Sequence, residues 1–208
     1  MDNDLFEQKP HRILIVDDNP SIHEDLCKVL TGSTQSTLNE EANTLFGEDT
    51  KEEESNYSMP FSVDSAYQGQ EALGLVVNAI DKHERYALAI MDIRMPPGWD
   101  GIKTIQQLWK VDRGLQVIIC SAHSDYSLDD IISKLGMSDQ LVILKKPFDN
   151  IEVLQLANAL VNKWMLQEES NIIYEKLIKR TDRLEDELNQ ALARNKVLEE
   201  MIEKLKHP

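Results

Sequence analysis

Cysteine is scarce in this chain. The two residues, Cys27 and Cys120, each sit inside an apolar pattern and have no Cys-x-x-Cys spacing. That leaves no disulfide framework and no thiolate metal site, and it reads as two buried free thiols. Basic residues are few as well: 22 Lys and Arg stand against 37 Asp and Glu, a net charge of −15. The clustered Lys and Arg of a nucleic-acid surface are missing, so no nucleic-acid partner is expected. No apolar run approaches the roughly 20 residues of a membrane span. The first ten residues are polar and lack the apolar stretch of a targeting signal, so the expectation is a cytoplasmic protein without membrane contact. Glycine and proline are absent from residues 150–207, where nothing interrupts a helix.

What is present is a chain of 208 residues, 41% hydrophobic, enough for one full domain and an appendage. Arg12-Ile-Leu-Ile-Val16 is a short β-branched run bounded by Pro10 and by Asp17-Asp18-Asn19-Pro20, the pattern of a buried parallel strand followed by a helix start. Ile22, Leu26, Val29 and Leu30 carry the helical spacing onward to Gly32. Residues 33–60 are rich in Ser, Thr, Asn and Glu and read as an acidic surface insertion, with Leu38, Ala42, Leu45 and Phe46 spaced for a short helix. Further strands are expected at 61–65, 86–91, 116–121 and 141–144, and helices at 69–83, 102–109, 128–135 and from Asn150 onward. Five alternations imply an α/β fold, a doubly wound five-stranded parallel sheet with helices on both faces.

In such a sheet all strand C-termini point to one edge, where open α/β folds build their sites. Asp17, Asp18, Asp92, Ser121 and Lys146 stand at four strand ends and are expected to share one crevice. Each alone has an ordinary explanation: a helix cap, a strand-end hydroxyl, a solvated lysine. Together they suggest chemistry. Three carboxylates in one place repel one another unless a cation lies between them, and hard oxygen donors suit Mg²⁺ better than Zn²⁺. Asp92, at the tip of Leu88-Ala-Ile-Met91, is then placed to act as a nucleophile forming an acyl phosphate. Ser121 is a donor for one phosphoryl oxygen and Lys146 a positive charge for another, with Pro147 pre-setting the backbone beyond it.

The motifs Ile-Val-Asp17-Asp18-Asn, Met-Asp92-Ile-Arg-Met-Pro, Cys-Ser121-Ala122 and Lys146-Pro147-Phe148 resemble the receiver domain of two-component response regulators over residues 12–161. The resemblance implies a flavodoxin-like sheet of order 2-1-3-4-5. It implies phosphoryl transfer from a histidine kinase or phosphotransfer protein to Asp92, making the chain a phospho-acceptor rather than an enzyme. It also implies Mg²⁺ held by Asp17, Asp18, Asp92 and the main-chain carbonyl of Arg94. The chain departs from the family pattern in its Met95-Pro-Pro-Gly-Trp-Asp100-Gly101 loop, one residue longer than usual, and in the length of the segment before the second strand. Ile143 stands where receivers often carry an aromatic switch residue. Arg94 and His123 occupy positions where side chains tend to set phosphate lifetime. Two other readings remain: a phosphorylation-independent dimeric scaffold, and a phosphatase with an Asp nucleophile, which would need Asp-x-Asp where this chain has Asp17-Asp18.

The expected organisation is a disordered N-terminus at 1–10, a receiver at 11–163 with the insertion at 33–60, and a coiled coil at 164–208 continuous with the last receiver helix. In that helix Leu177, Leu184, Ala191, Leu198 and Leu205 fall at heptad d positions, and Thr181, Leu188, Asn195 and Ile202 at a. Asn195 at a commonly fixes a two-stranded parallel register. Parallel pairing sets Arg180 against Glu185 and Arg194 against Glu199, so a homodimer is expected. Receivers followed by such helices often feed a cyclase, phosphodiesterase or kinase domain.

Overall fold

The computed structural model describes residues 10–32, 61–122 and 128–206. The N-terminal segment, the acidic insertion and His123 therefore lie outside the described residues, apart from Pro10 and the last turn before the insertion. The chain divides into two compact units, Met1–Met165 and Leu166–Pro208, each described by itself.

The first unit is built on five parallel strands: β1 (Arg12–Val16), β2 (Ser62–Ala66), β3 (Tyr86–Asp92), β4 (Gln116–Ser121) and β5 (Leu141–Lys145). Their order is β2-β1-β3-β4-β5, the doubly wound arrangement. The connecting helices are α1 (Pro20–Leu30), α2 (Gly69–Asp81), α3 (Gly101–Val111), α4 (Leu128–Leu135) and α5 (Asn150–Lys206).

Side chains alternate across the sheet with period two, and each strand feeds two cores. Leu14, Val16, Ala89, Met91, Val117 and Ile119 face one way, where α2 adds Ala72 and Val76, α3 adds Ile105 and Leu108, and α4 adds Ile131. Ile13, Ile15, Leu88, Ile90, Ile118 and Cys120 face the other, against Leu26 and Leu30 of α1 and Val153, Ala157 and Leu160 of α5. The continuous apolar runs of β1, β3 and β4 follow from being covered on both faces. Both cysteines are free. Burial holds the Cys120 thiol up at about 12 and raises Cys27 as well, so neither is an activated nucleophile.

Helix ends follow local chemistry. Asn19 caps α1 by accepting from the Ser21 amide at 3.0 Å, and Pro20 takes the first helical position. Asp100 caps α3 through the Lys103 amide at 2.7 Å. The helix expected over 69–83 ends earlier, at Asp81, because His83 turns to a φ of 57° and the chain reverses into β3. At the opposite sheet edge from the strand tips, Arg12 gathers Asp64 (2.7 Å), the Tyr86 hydroxyl (2.9 Å) and the Glu84 carbonyl (2.9 Å), tying the starts of β1 and β3 to β2. Among the described residues no helix is long and apolar enough to cross a membrane.

The second unit is Leu166–Pro208, and its residues 166–206 belong to α5. Leu177, Leu184, Leu188, Leu198 and Ile202 are each more than half exposed along it. Arg183 and Glu187 pair at 3.0 Å one turn apart, a surface contact worth a few tenths of a kcal/mol.

Candidate functional site

The strand tips bring three of the five expected side chains into direct contact. Val16 pairs with Met91 in the ladder, so the next residue of each strand, Asp17 and Asp92, lies side by side at the sheet edge. Lys146, just past β5, reaches across from the far side of β4. Its ammonium donates to Asp92 Oδ1 at 2.6 Å and to Asp17 Oδ2 at 3.2 Å. Asp17 is 4% exposed, and the ammonium is the cation that its burial demands. Burial alone would lower the Lys146 pKa. The hydrogen bond it donates to Asp92 and the charge of Asp17 outweigh it, and the net direction is up, so the ammonium stays charged through neutral pH.

The carboxylates are also held by main chain. Asp92 Oδ2 accepts from the Arg94 amide at 2.7 Å, and Asp17 Oδ1 accepts from the Asn19 amide at 2.9 Å. Each acid thus folds back on the turn that follows its strand and leaves one oxygen for Lys146. The turn after Asp92 is tight: Gly101, the first residue of α3, donates to the Ile93 carbonyl at 3.0 Å. A Cβ there would stand 2.4 Å from the Asp92 carbonyl oxygen, which is why this position takes glycine. The peptide bonds before Pro97 and Pro147 are cis.

Asp18 and Ser121 stand at the same edge but outside this contact. Asp18 is solvent-exposed. Ser121 is 5% exposed, and its hydroxyl donates to the Ala122 carbonyl at 3.1 Å, while its own carbonyl accepts from the Lys146 amide at 2.8 Å. Ile143 is half-buried on the α4 side of the sheet, opposite Ile119. Arg94 is exposed.

His23 lies outside the apolar pattern of α1. Ile22, Leu26, Val29 and Leu30 carry the helical apolar spacing of α1, whereas its fully buried residues are His23, Leu26 and Leu30. The 23-26-30 spacing carries the helical period as well as the apolar set does. Histidine is polar, so an apolar pattern leaves it out although it is buried here.

A model of the response regulator receiver domain matches residues 50–158, just over half of the chain. The chain belongs to the response regulator receiver family. The matched span contains Asp92, Ser121 and Lys146 but begins downstream of Asp17 and Asp18. Of that pair, the ladder register and the Lys146 contact bring Asp17 beside Asp92. The receiver is 30% identical over 95 residues to chemotaxis protein CheY of Thermotoga maritima, covering 43% of this chain and 76% of that protein. It is 33% identical over 105 residues to the transcriptional regulatory protein TctD of Salmonella typhimurium, covering 50% of this chain but only 42% of that protein. In fold it is similar to the signal receiver domain of an HD domain-containing protein from Pseudomonas fluorescens, with a TM-score of 0.56, 17% identity, and coverage of 80% and 98%. Receivers of this family serve two-component systems as regulatory domains.

The family implies Mg²⁺ at the acidic edge, and the donors here fit it. Among the described residues no three His, Cys, Asp or Glu side chains form a ready metal cluster. Mg²⁺ asks for less: it is commonly held through one or two carboxylates, with waters and substrate phosphate completing the shell. Asp17 and Asp92 already share one cation, the Lys146 ammonium, and Asp18 follows on the same turn.

Proposed function

We propose that this receiver is the phospho-acceptor of a two-component phosphorelay and that Asp92 takes the phosphoryl group. The observation that carries the reading is the Asp92 carboxylate at the tip of β3, 12% exposed, with the Lys146 ammonium at 2.6 Å and Asp17 sharing the same ammonium. A carboxylate oxygen of Asp92 attacks phosphorus, the P–N bond to the donor histidine breaks, and an acyl phosphate forms. The electron pair of that bond returns to the imidazole. Lys146 offsets charge on a phosphoryl oxygen, and Ser121 turns its hydroxyl from the Ala122 carbonyl to another. Asp17, Asp18, Asp92 and the Arg94 carbonyl are the residues that would hold Mg²⁺, which supplies charge neutralisation when bound. Partners are a histidine kinase or a phosphotransfer protein. The domain boundaries proposed are a receiver at 11–163 and a coiled-coil helix at 164–208.

The test is turnover. With a small phosphodonor and Mg²⁺, a phospho-acceptor gains one phosphoryl group per chain and stops, and chelation of Mg²⁺ prevents the gain. A scaffold gains none with or without metal. A phosphatase of the Asp-nucleophile type keeps releasing phosphate from ordinary phosphate esters.

The output runs through residues 166–206 as a parallel homodimeric coiled coil. Supporting this is the stripe of Leu177, Leu184, Leu188, Leu198 and Ile202, more than half exposed on a single chain and repeating at heptad spacing around Asn195. Changing Leu184 and Leu198 together to Asp is expected to convert a dimer into a monomer in light scattering at micromolar protein, with the receiver still phosphorylated. A dimer that survives both changes places the interface elsewhere.

A further inference from the structure

We infer that His23 is a positioning residue for the acidic site, holding the peptide that joins Asp17 to Asp18. The inference rests on the phospho-acceptor reading above. His23 lies in the first turn of α1 and is 4% exposed. Its Nε2 is 2.6 Å from the Asp17 carbonyl oxygen. A carbonyl oxygen only accepts, so Nε2 carries the proton and donates. Nδ1 is enclosed and has no hydrogen-bond partner among the described residues. The imidazole packs against the Tyr67 ring, centroids 4.5 Å apart and tilted by 47°, which fixes its plane.

Besides the Lys146 contact to its Oδ2, Asp17 is anchored at three points. Its amide donates to the Ala66 carbonyl of β2 at 3.2 Å, its Oδ1 accepts from the Asn19 amide, and its carbonyl accepts from His23. The first two fix the residue relative to β2 and the turn. Among the described residues, the third is the one that acts on the carbonyl of the peptide leading to Asp18. The rotation of that peptide decides where the exposed Asp18 carboxylate points relative to Asp17 and Asp92. An apolar residue at 23 would fill the same space but free that peptide. Removing a hydrogen bond that orients a metal ligand typically costs about 10–100-fold in metal affinity.

His23→Leu keeps volume and removes the donor. His23→Gln keeps an amide nitrogen within reach of the same carbonyl. In the 208-residue chain without phosphodonor, calorimetric Mg²⁺ titration is expected to give His23→Leu about tenfold weaker binding. His23→Gln is expected to stay within about threefold of wild type, because the donor to Asp17 is retained. Thermal midpoints accompany the titrations. Gln and Leu variants that melt alike but bind Mg²⁺ differently support positioning. Equal Mg²⁺ affinity in wild type and His23→Leu overturns it, and so does equal loss in both variants. Should His23→Leu not fold, nitrogen-15 NMR of the wild-type imidazole decides without a substitution. A proton on Nε2 with Nδ1 bare supports the hydrogen bond, and a proton on Nδ1 overturns it. A wild type with the expected tautomer that binds no Mg²⁺ counts against the phospho-acceptor reading and removes the purpose assigned to His23.

Discussion

Lys146→Met is expected to lower the rate of phosphorylation by a small donor about 10²–10³-fold, the usual cost of removing one preorganised charge from a transition state. The same change is expected to cost folding stability. Asp17 is almost fully enclosed, and losing the ammonium leaves it and Asp92 without their shared partner. Breaking a fully buried pair costs about 3–5 kcal/mol. The Lys146 side chain is 28% exposed, so water recovers part of this, and about 2 kcal/mol is the expected loss in chelator. Mg²⁺ is expected to restore part of the stability without restoring the rate, because it neutralises the carboxylates but does not replace the charge on the second phosphoryl oxygen. Denaturant melts with and without Mg²⁺, set beside initial phosphorylation rates, check both halves. A variant that phosphorylates at the wild-type rate removes Lys146 from the chemistry.

Gly101→Ala is expected to damage both fold and site, whereas the same change at Gly74 is expected to help. At Gly101 the added methyl meets the Asp92 carbonyl oxygen at 2.4 Å and the Ile93 Cα at 3.0 Å. These are backbone atoms that no rotamer change can move, so the first turn of α3 or the turn after β3 must shift. Overpacking of this kind costs about 1–3 kcal/mol. The crowded atoms belong to Asp92 and its neighbour Ile93, so phosphorylation should slow in the folded fraction too. Gly74 lies on the exposed side of α2 with nothing within 4 Å of a new Cβ, and alanine there should add about 0.5–1 kcal/mol. Opposite signs from one substitution type separate a steric demand at the site from a general helix effect. Chemical denaturation of the two variants measures it, and equal shifts would contradict the account.

The fold was legible because burial on both faces leaves a dense signal. β1, β3 and β4 read as unbroken apolar runs, and each ends at a residue unlike the run: Asp17, Asp92, Ser121. Parallel topology then sends those ends to one edge. The alternation of Ile13, Ile15 against Leu14, Val16 between the two cores needed no further information. What the pattern left open is direction within a residue. A strand end places a hydroxyl but not its rotor, and the Ser121 hydroxyl satisfies itself on the neighbouring Ala122 carbonyl. Adjacent acids at a turn point apart, so Asp17 is enclosed while Asp18 faces water. Nor does spacing along the chain show that Lys146, 129 residues after Asp17, bridges it to Asp92. His23 is absent from the apolar pattern because it is polar, and its role adds nothing legible, since it depends on one carbonyl oxygen that leaves no mark on the side-chain sequence.

These particulars converge on the acid at the tip of β3. The most direct measurement is the intact mass of the full chain after incubation with a small phosphodonor and Mg²⁺, for wild type and for Asp92→Asn. The account predicts a gain of one phosphoryl group in the wild type, mapped to Asp92 by peptide mass analysis and absent from Asp92→Asn. An unchanged wild-type mass, or an equal gain in Asp92→Asn, would contradict it.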